Sequence, residues 1–212
     1  YLTFEVERKT IEIPMVTSKM LDNNIGYVAV YEFEETTSEQ FNQAIDELTA
    51  QGMKGLIIDL RDNPGGLVNS ATAILDRILP KDKLLVYTVD KNDKKQEEYS
   101  EDDATIDVPI SVLINGNSAS ASEIVSGCLQ DYGKAKLVGT TSFGKGIVQY
   151  VLPLGDGSAI KLTSAKYYTP NGRNIHGTGI DPDVEVELNS DSETDTQLEK
   201  AQEIVLEQIQ AE

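Results

Sequence analysis

The sequence predicts an α/β fold, and three observations carry that prediction. Residues 25–33 read as a strand with Tyr27, Val28, Ala29 and Val30 at its centre, followed by a helix with Phe41, Ala44, Ile45 and Leu48 at i, i+3, i+4 and i+7. The next run, Gly55–Leu60 (GLIIDL), is apolar on both faces, as expected of a parallel strand buried within a sheet. A similar run at Pro109–Asn115 leads directly into a helix that starts near Ser120. Strand, helix and strand in succession imply a right-handed crossover. The turns after these strands then fall at the carboxyl ends of one sheet, where α/β folds place their sites.

The other elements follow in chain order. Leu2, Phe4 and Val6 alternate over Leu2–Glu7 as in a strand, and Thr10–Val16 repeats the pattern up to Pro14. Thr37 and Gln40 have capping-box spacing for the first helix, which Gly52 closes. Arg61-Asp62-Asn63-Pro64-Gly65-Gly66 makes a tight turn before a helix bearing Ala71, Ile74, Leu75 and Ile78. The glycines there allow close approach of backbone to a ligand, and the helix start favours negative charge. The plainer reading is that the Gly-Gly pair only makes the turn. Leu84–Val89 and 96–99 form an exposed hairpin about Lys91–Lys94, and Glu101–Asp107 is an acidic loop. Ala135–Val138 is a short strand, and Ile147–Leu154 and Ser158–Thr169 pair around Gly155-Asp156-Gly157. Pro170-Asn171-Gly172 is a turn and Asn189–Asp195 an acidic linker. Residues 196–210 form a helix with Leu198, Ala201, Ile204 or Val205, and Ile209 on one face, suited to packing or to oligomer formation.

Composition excludes several classes of function. The 36 acidic residues outnumber 18 basic ones and leave a net charge of −18, so long-range repulsion disfavours nucleic acid and anionic membranes. No apolar run approaches the roughly 18 residues of a membrane span, and no signal-peptide pattern opens the sequence. Tyr1 is not an initiating residue, so a trimmed chain is expected. A single cysteine, Cys128, rules out an internal disulfide and a multi-cysteine metal site, and its helical position suggests core packing. A Ser-His-Asp triad would have to use the one histidine, His176, which sits in a glycine-rich loop of surface character (GRNIHGTG).

Chemistry concentrates in Asn117–Gln149, NSASASEIVSGCLQDYGKAKLVGTTSFGKGIVQ. Ser120 and Glu123 fit the S-x-x-E capping box of the helix carrying Ile124, Val125, Cys128, Leu129 and Tyr132. Ser120 is therefore either a helix cap or a nucleophile. A serine hydroxyl attacks only when a base takes its proton, and a lysine is such a base when its amine is neutral. Burial favours the neutral amine. Lys145 stands in the glycine-flanked loop Gly139–Gly146, where Phe143, Ile147 and Val148 can supply apolar walls. Gln149 can accept a hydrogen bond from its amine, and the Ala121 N–H at the helix start can help hold an oxyanion. The same loop matches the start of a phosphate-binding loop, but Gly146 stands where Ser or Thr should hold magnesium, which argues against nucleotide binding.

These motifs resemble the active-site region of the carboxyl-terminal processing peptidases, or tail-specific proteases, a family of serine–lysine endopeptidases. The resemblance rests on the SASASE run, the FGKG motif with glutamine four residues after its lysine, the DLRxNPGG turn and a GIxPD segment at Gly179–Asp183, and it extends from about Thr10 to the final helix. It implies a crotonase- or Clp-protease-like core of repeated strand-strand-helix units with small β extensions. It assigns Ser120 as nucleophile, Lys145 as general base, Gln149 as the residue orienting the lysine, and Gly66 with Ala121 as oxyanion donors. Gly65 and Asp131 take supporting roles, and no metal or organic cofactor is required. It implies polypeptide substrates with unstructured carboxyl termini, cleaved near those termini, and an extracytoplasmic bacterial setting, the parent protein being membrane-anchored or not. It divides the chain into a strand and linker remnant after an absent PDZ domain (1–16), the protease core (17–188) and a linker with helix (189–212), with a homo-oligomer possible through that helix. His176 departs from the glutamine that family members often carry. Two other classes share these residues: a non-catalytic polypeptide-binding module, and a small-molecule serine–lysine amidase or esterase.

Overall fold

Apolar runs that cannot face water on either side have to be sandwiched, and here they form the middle of a sheet with helices on both faces. The structure is a computed structural model that describes residues 2–5, 7–9, 13–103, 105–189, 192 and 194–211. The chain runs β1 (Val16–Met20), β2 (Ile25–Val30), α1 (Thr37–Ala50), β3 (Gly55–Asp59), α2 (Val68–Ile78), β4 (Leu84–Asp90), β5 (Lys95–Tyr99), β6 (Ile110–Ile114), α3 (Ala121–Asp131), β7 (Ala135–Gly139), β8 (Ile147–Pro153), β9 (Ala159–Tyr168), β10 (Val184–Glu185) and α4 (Thr196–Ala211). The main sheet has the order β1-β2-β3-β6-β7-β10, antiparallel only between β1 and β2. A second sheet, β5-β4-β9-β8, is antiparallel throughout.

The two-residue period of the strands assigns each side chain to a face. Leu56 and Ile58 of β3 and Ile110, Val112 and Ile114 of β6 point into the larger core, which they share with Phe41 and Ile45 of α1, Ile74 and Leu75 of α2, and Val125 and Leu129 of α3. Ile57 and Leu113 point the other way and meet Ala201 and Val205 of α4. Gly55 is required for that docking, because a Cβ there would sit 2.3 Å from Val205 Cγ1. The sequence reading of the final helix as a packing element therefore describes its position. Among the described residues no helix is long and apolar enough to cross a membrane.

Two expectations at the chain start need correction. Residues 2–5 and 7–9 form no strand, Leu2 and Phe4 being exposed, while Val6 and Thr10–Glu12 lie outside the described residues. Alternation without a neighbouring strand to pair with leaves no strand, and among the described residues the first one begins at Val16. The predicted Thr37–Gln40 capping box also does not form. Gln40 Oε1 instead accepts the Met15 and Val16 N–H groups at 2.8 and 3.1 Å, anchoring the entry to β1, while Thr37 Oγ1 donates to the Glu32 carbonyl.

An ion-pair network ties α4 to the end of β3. The Arg61 guanidinium bonds Asp59 at 2.6 Å and Asp195 at 2.8 Å, and also donates to Gln197 Oε1 at 3.1 Å. Burial alone would lower its pKa, but the carboxylates of Asp59 and Asp195 outweigh this and raise it. Arg61→Ala leaves Asp59 buried without its partner, so a loss of about 3 kcal/mol in stability is expected from urea unfolding. Arg77→Ala removes a pair with a largely exposed Asp46 and should change stability by less than about 1 kcal/mol in the same measurement.

Candidate active site

The carboxyl ends of β3 and β6 are neighbours in the sheet, so the turns that follow them meet. Each hydrogen bond between the two turns fixes one against the other. Ser118 Oγ donates to the Leu60 carbonyl at 2.7 Å, Ser122 Oγ to the Asn63 carbonyl at 3.0 Å, and the Ala119 N–H to that same carbonyl at 3.0 Å. Over this support Ser120 adopts φ 57° and ψ −111°, a conformation that side-chain-bearing residues rarely take, immediately before the first residue of α3. Such backbone costs on the order of 1–3 kcal/mol and persists only where the surroundings impose it. A sharp strand-to-helix turn of this kind lifts its side chain out of the helix surface, and Ser120 remains partly accessible.

Gly65 and Gly66 press against this turn. A Cβ on Gly65 would lie 2.8 Å from Ser120 Cβ and 2.6 Å from the Ala119 carbonyl oxygen, so only glycine permits the approach. Gly66, at φ 136°, is held by Phe33, whose N–H bonds the Gly65 carbonyl at 2.8 Å and whose carbonyl accepts the Leu67 N–H at 2.7 Å. The Gly65 N–H is taken by Asn63 Oδ1 at 2.8 Å. Among the described residues neither the Gly66 nor the Ala121 N–H has an acceptor in the protein. Two unpaired amides thus remain near Ser120, in the turns predicted to supply oxyanion donors.

The Glu123 carboxylate joins the serine turn to the lysine loop. It is fully buried and accepts four hydrogen bonds: Ser120 N–H at 2.8 Å, Ser142 Oγ–H at 2.6 Å, Gly144 N–H at 2.7 Å and Lys145 N–H at 2.8 Å. The predicted Ser120–Glu123 capping box is therefore present, but the glutamate's reach is wider than a cap. The loop amides that suggested a phosphate cradle are directed at this internal carboxylate, which supports the sequence argument against nucleotide binding. Tyr167 adds a second link, its hydroxyl lying 3.0 Å from the Ser120 carbonyl and also bonding the Lys145 carbonyl. Burial, and then the nearby Glu123 charge, push the phenol's pKa up, so it stays a donor. Glu123 stood in the sequence only as half of a cap, and Tyr167 only as a strand residue before a turn. Most of their partners are distant in sequence, beyond the reach of any local pattern.

The side chains of the predicted dyad are close in topology but not joined. Lys145 is half-buried, and among the described residues its amine forms no hydrogen bond with Ser120 or Gln149. The Gln149 amide donates instead to Thr163 Oγ1 on the adjacent strand at 3.4 Å, so the expected lysine-orienting contact is not made in this arrangement. Phe143 is 64% exposed and does not wall the lysine, whereas Ile147 and Val148 are partly buried. Asp131 lies at the far end of α3, where its carboxylate bonds Arg173 and accepts the Asn171 N–H at 2.8 Å. It holds the 171–179 loop, whose Gly177 N–H donates to the Gly144 carbonyl at 2.9 Å. Asp131 is thus connected to the lysine loop only through this second loop. His176 is exposed in that loop, and Cys128 is buried in the core with its thiol pKa pushed up by desolvation.

Residues 24–186 match the family model described as peptidase family S41. The chain is 42% identical over 191 residues to the carboxy-terminal-processing protease of Bartonella bacilliformis, covering 88% of this chain and 44% of that protein. It is 40% identical over 187 residues to the carboxy-terminal processing protease CtpA of Bacillus subtilis, covering 88% and 40%. The chain thus spans less than half the length of these relatives. Among solved structures, a photosystem II D1 C-terminal processing protease superposes with a TM-score of 0.75 at 31% identity, over 93% of this chain and 54% of that one. An S41 protease of Bacteroides fragilis superposes with a TM-score of 0.78 at 19% identity, over 94% and 59%, a likeness of fold. By the family match, the identities and the shared Clp-protease-like fold, the chain belongs to peptidase family S41.

Proposed function

We propose that this chain is the catalytic core of a serine endopeptidase that cleaves polypeptides near their carboxyl termini. The observation that carries the reading is Ser120 itself, held in a strained strand-to-helix turn beside two unpaired backbone amides and fastened through Glu123 to the loop bearing Lys145. A mere helix cap does not need the strain, since an N-cap residue ordinarily has extended backbone. The named activities of the relatives support the same class of reaction.

In the reaction, the Lys145 amine acts as the general base and takes the Ser120 hydroxyl proton as Oγ attacks the scissile carbonyl carbon. The Gly66 and Ala121 N–H groups hold the resulting oxyanion. Lys145 returns the proton to the departing amine, and water, deprotonated by the same lysine, hydrolyses the acyl-enzyme. Gln149 orients the lysine once it has turned from Thr163, so we read the separated dyad as a resting arrangement completed when polypeptide binds. Gly65 keeps the serine turn and oxyanion turn in contact, and Asp131 steadies the lysine loop from behind. The substrates are polypeptides with unstructured carboxyl termini, met outside the cytoplasm of a bacterium. The division at residues 16 and 188, with a PDZ domain in the complete protein, belongs to the same proposal.

Cleavage of casein, an unstructured protein, tests this reading. The unsubstituted chain is expected to cleave it, and Ser120→Ala and Lys145→Ala are each expected to lower the rate on the order of 10^4-fold. Cleavage that survives in Ser120→Ala would show that the activity resides elsewhere. Glu123→Gln replaces one acceptor oxygen by an N–H2 group facing donors. It should lower stability by about 2 kcal/mol in urea unfolding and reduce cleavage together with it.

A further inference from the structure

The two proposed oxyanion donors sit on different turns, Gly66 after β3 and Ala121 after β6. Gripping one oxygen atom requires their spacing to be held within a fraction of an ångström. Much of the contact between these turns is buried backbone and serine hydroxyls, but one part is an outer cluster. The Asp62 N–H donates to Asn115 Oδ1 at 3.0 Å, and Asn115 Nδ2 donates back to Asp62 Oδ1 at 3.0 Å. Asn117 Nδ2 donates to the same Asp62 oxygen at 2.8 Å, and the Asn117 N–H to Asn115 Oδ1 at 3.0 Å. Asp62 is exposed and has φ 60°, the left-handed region that aspartate and asparagine tolerate better than other side chains.

We propose that Asp62 is a positioning residue, an outer brace that sets the spacing of the Gly66 and Ala121 donors through Asn115 and Asn117. The chain has few residues in which to lose this spacing: Asp62 lies in the turn that ends at Gly66, and Asn117 lies in the turn that ends at Ser120 and Ala121. One carboxylate oxygen, Asp62 Oδ1, takes the side-chain amide donors of both Asn115 and Asn117. The amide donors of Asn117 and Asn115 hold the Asp62 carboxyl below the usual carboxylate range, as expected of an anion that these bonds favour. Nothing else in the reaction as described uses Asp62, so its role, which rests on the peptidase reading, is separable from that of the dyad.

Steady-state cleavage of casein by four forms of the full chain tests the brace. Asp62→Ala removes the carboxylate and strains the left-handed backbone, Asp62→Gly removes the carboxylate without the strain, and Asp62→Asn keeps one oxygen acceptor. Both Ala and Gly variants are expected to lose about tenfold in kcat with KM within about twofold, because the donors act on the transition state, and Asn is expected to restore most of the rate. Affinity for a peptide boronate, whose tetrahedral adduct uses the oxyanion donors, should fall in parallel with kcat. Asp62→Gly with the parental kcat overturns the brace, whether or not Asp62→Ala is impaired, since backbone strain alone then accounts for the alanine variant. A parental chain that does not cleave casein overturns the peptidase reading and this proposal with it.

Discussion

Burying the Glu123 carboxylate is the constraint around which the site is arranged. A carboxylate removed from water without partners costs several kcal/mol, and only a full set of donors offsets it. Here the donors come from both the serine turn and the lysine loop, so the two segments cannot separate without stranding the charge. The start of α3 contributes as well, since the positive end of its dipole favours an anion in the first turn. The backbone of Lys145 is thereby fixed relative to Ser120, while its side chain makes no bond to Ser120 or Gln149. A rigid frame under a movable side chain suits the proton-exchanging role proposed for Lys145, and it would confine assembly of the proposed dyad to side-chain rotation and the start of β8.

The strain at Ser120 has to be held from below. Parallel strands β3 and β6 deliver the two turns side by side, and the core beneath them, built from Ile58, Leu75, Val112 and Val125, is nearly free of solvent exposure. Glycine at positions 65 and 66 lets the turn after β3 come within van der Waals contact of Ser120 and of Phe33. Arg61 then fastens that turn's first residue to α4 on the opposite face of the sheet. The geometry of a few atoms at the surface is thus supported by packing on both faces of the sheet.

Much of this was legible in the sequence where the determinant is local. Helical spacing of Phe41, Ala44, Ile45 and Leu48 located α1, and the unbroken apolar runs located β3 and β6. Ser120 and Lys145 stood out through their motifs. What the sequence concealed depends on partners far along the chain. Gln40 looked like a cap and instead anchors β1, because two free N–H groups at Met15 and Val16 compete for its amide. Gln149 looked ready to meet Lys145, yet on β8 it faces Thr163 of β9, which follows from strand pairing that spacing does not encode. Glu123 and Tyr167 link segments roughly twenty or more residues apart, and no local period marks them.

The most direct test of the central claim, that Ser120 becomes an activated nucleophile when polypeptide binds, is to treat the folded chain with a peptidyl phosphonate, whose peptide part occupies the substrate site, and map the adduct by peptide mass spectrometry. The account predicts a single covalent adduct on Ser120, absent from unfolded protein and slowed when Lys145 is replaced by alanine. An unmodified Ser120, or an adduct on another serine of the SASAS run at equal yield, would contradict it.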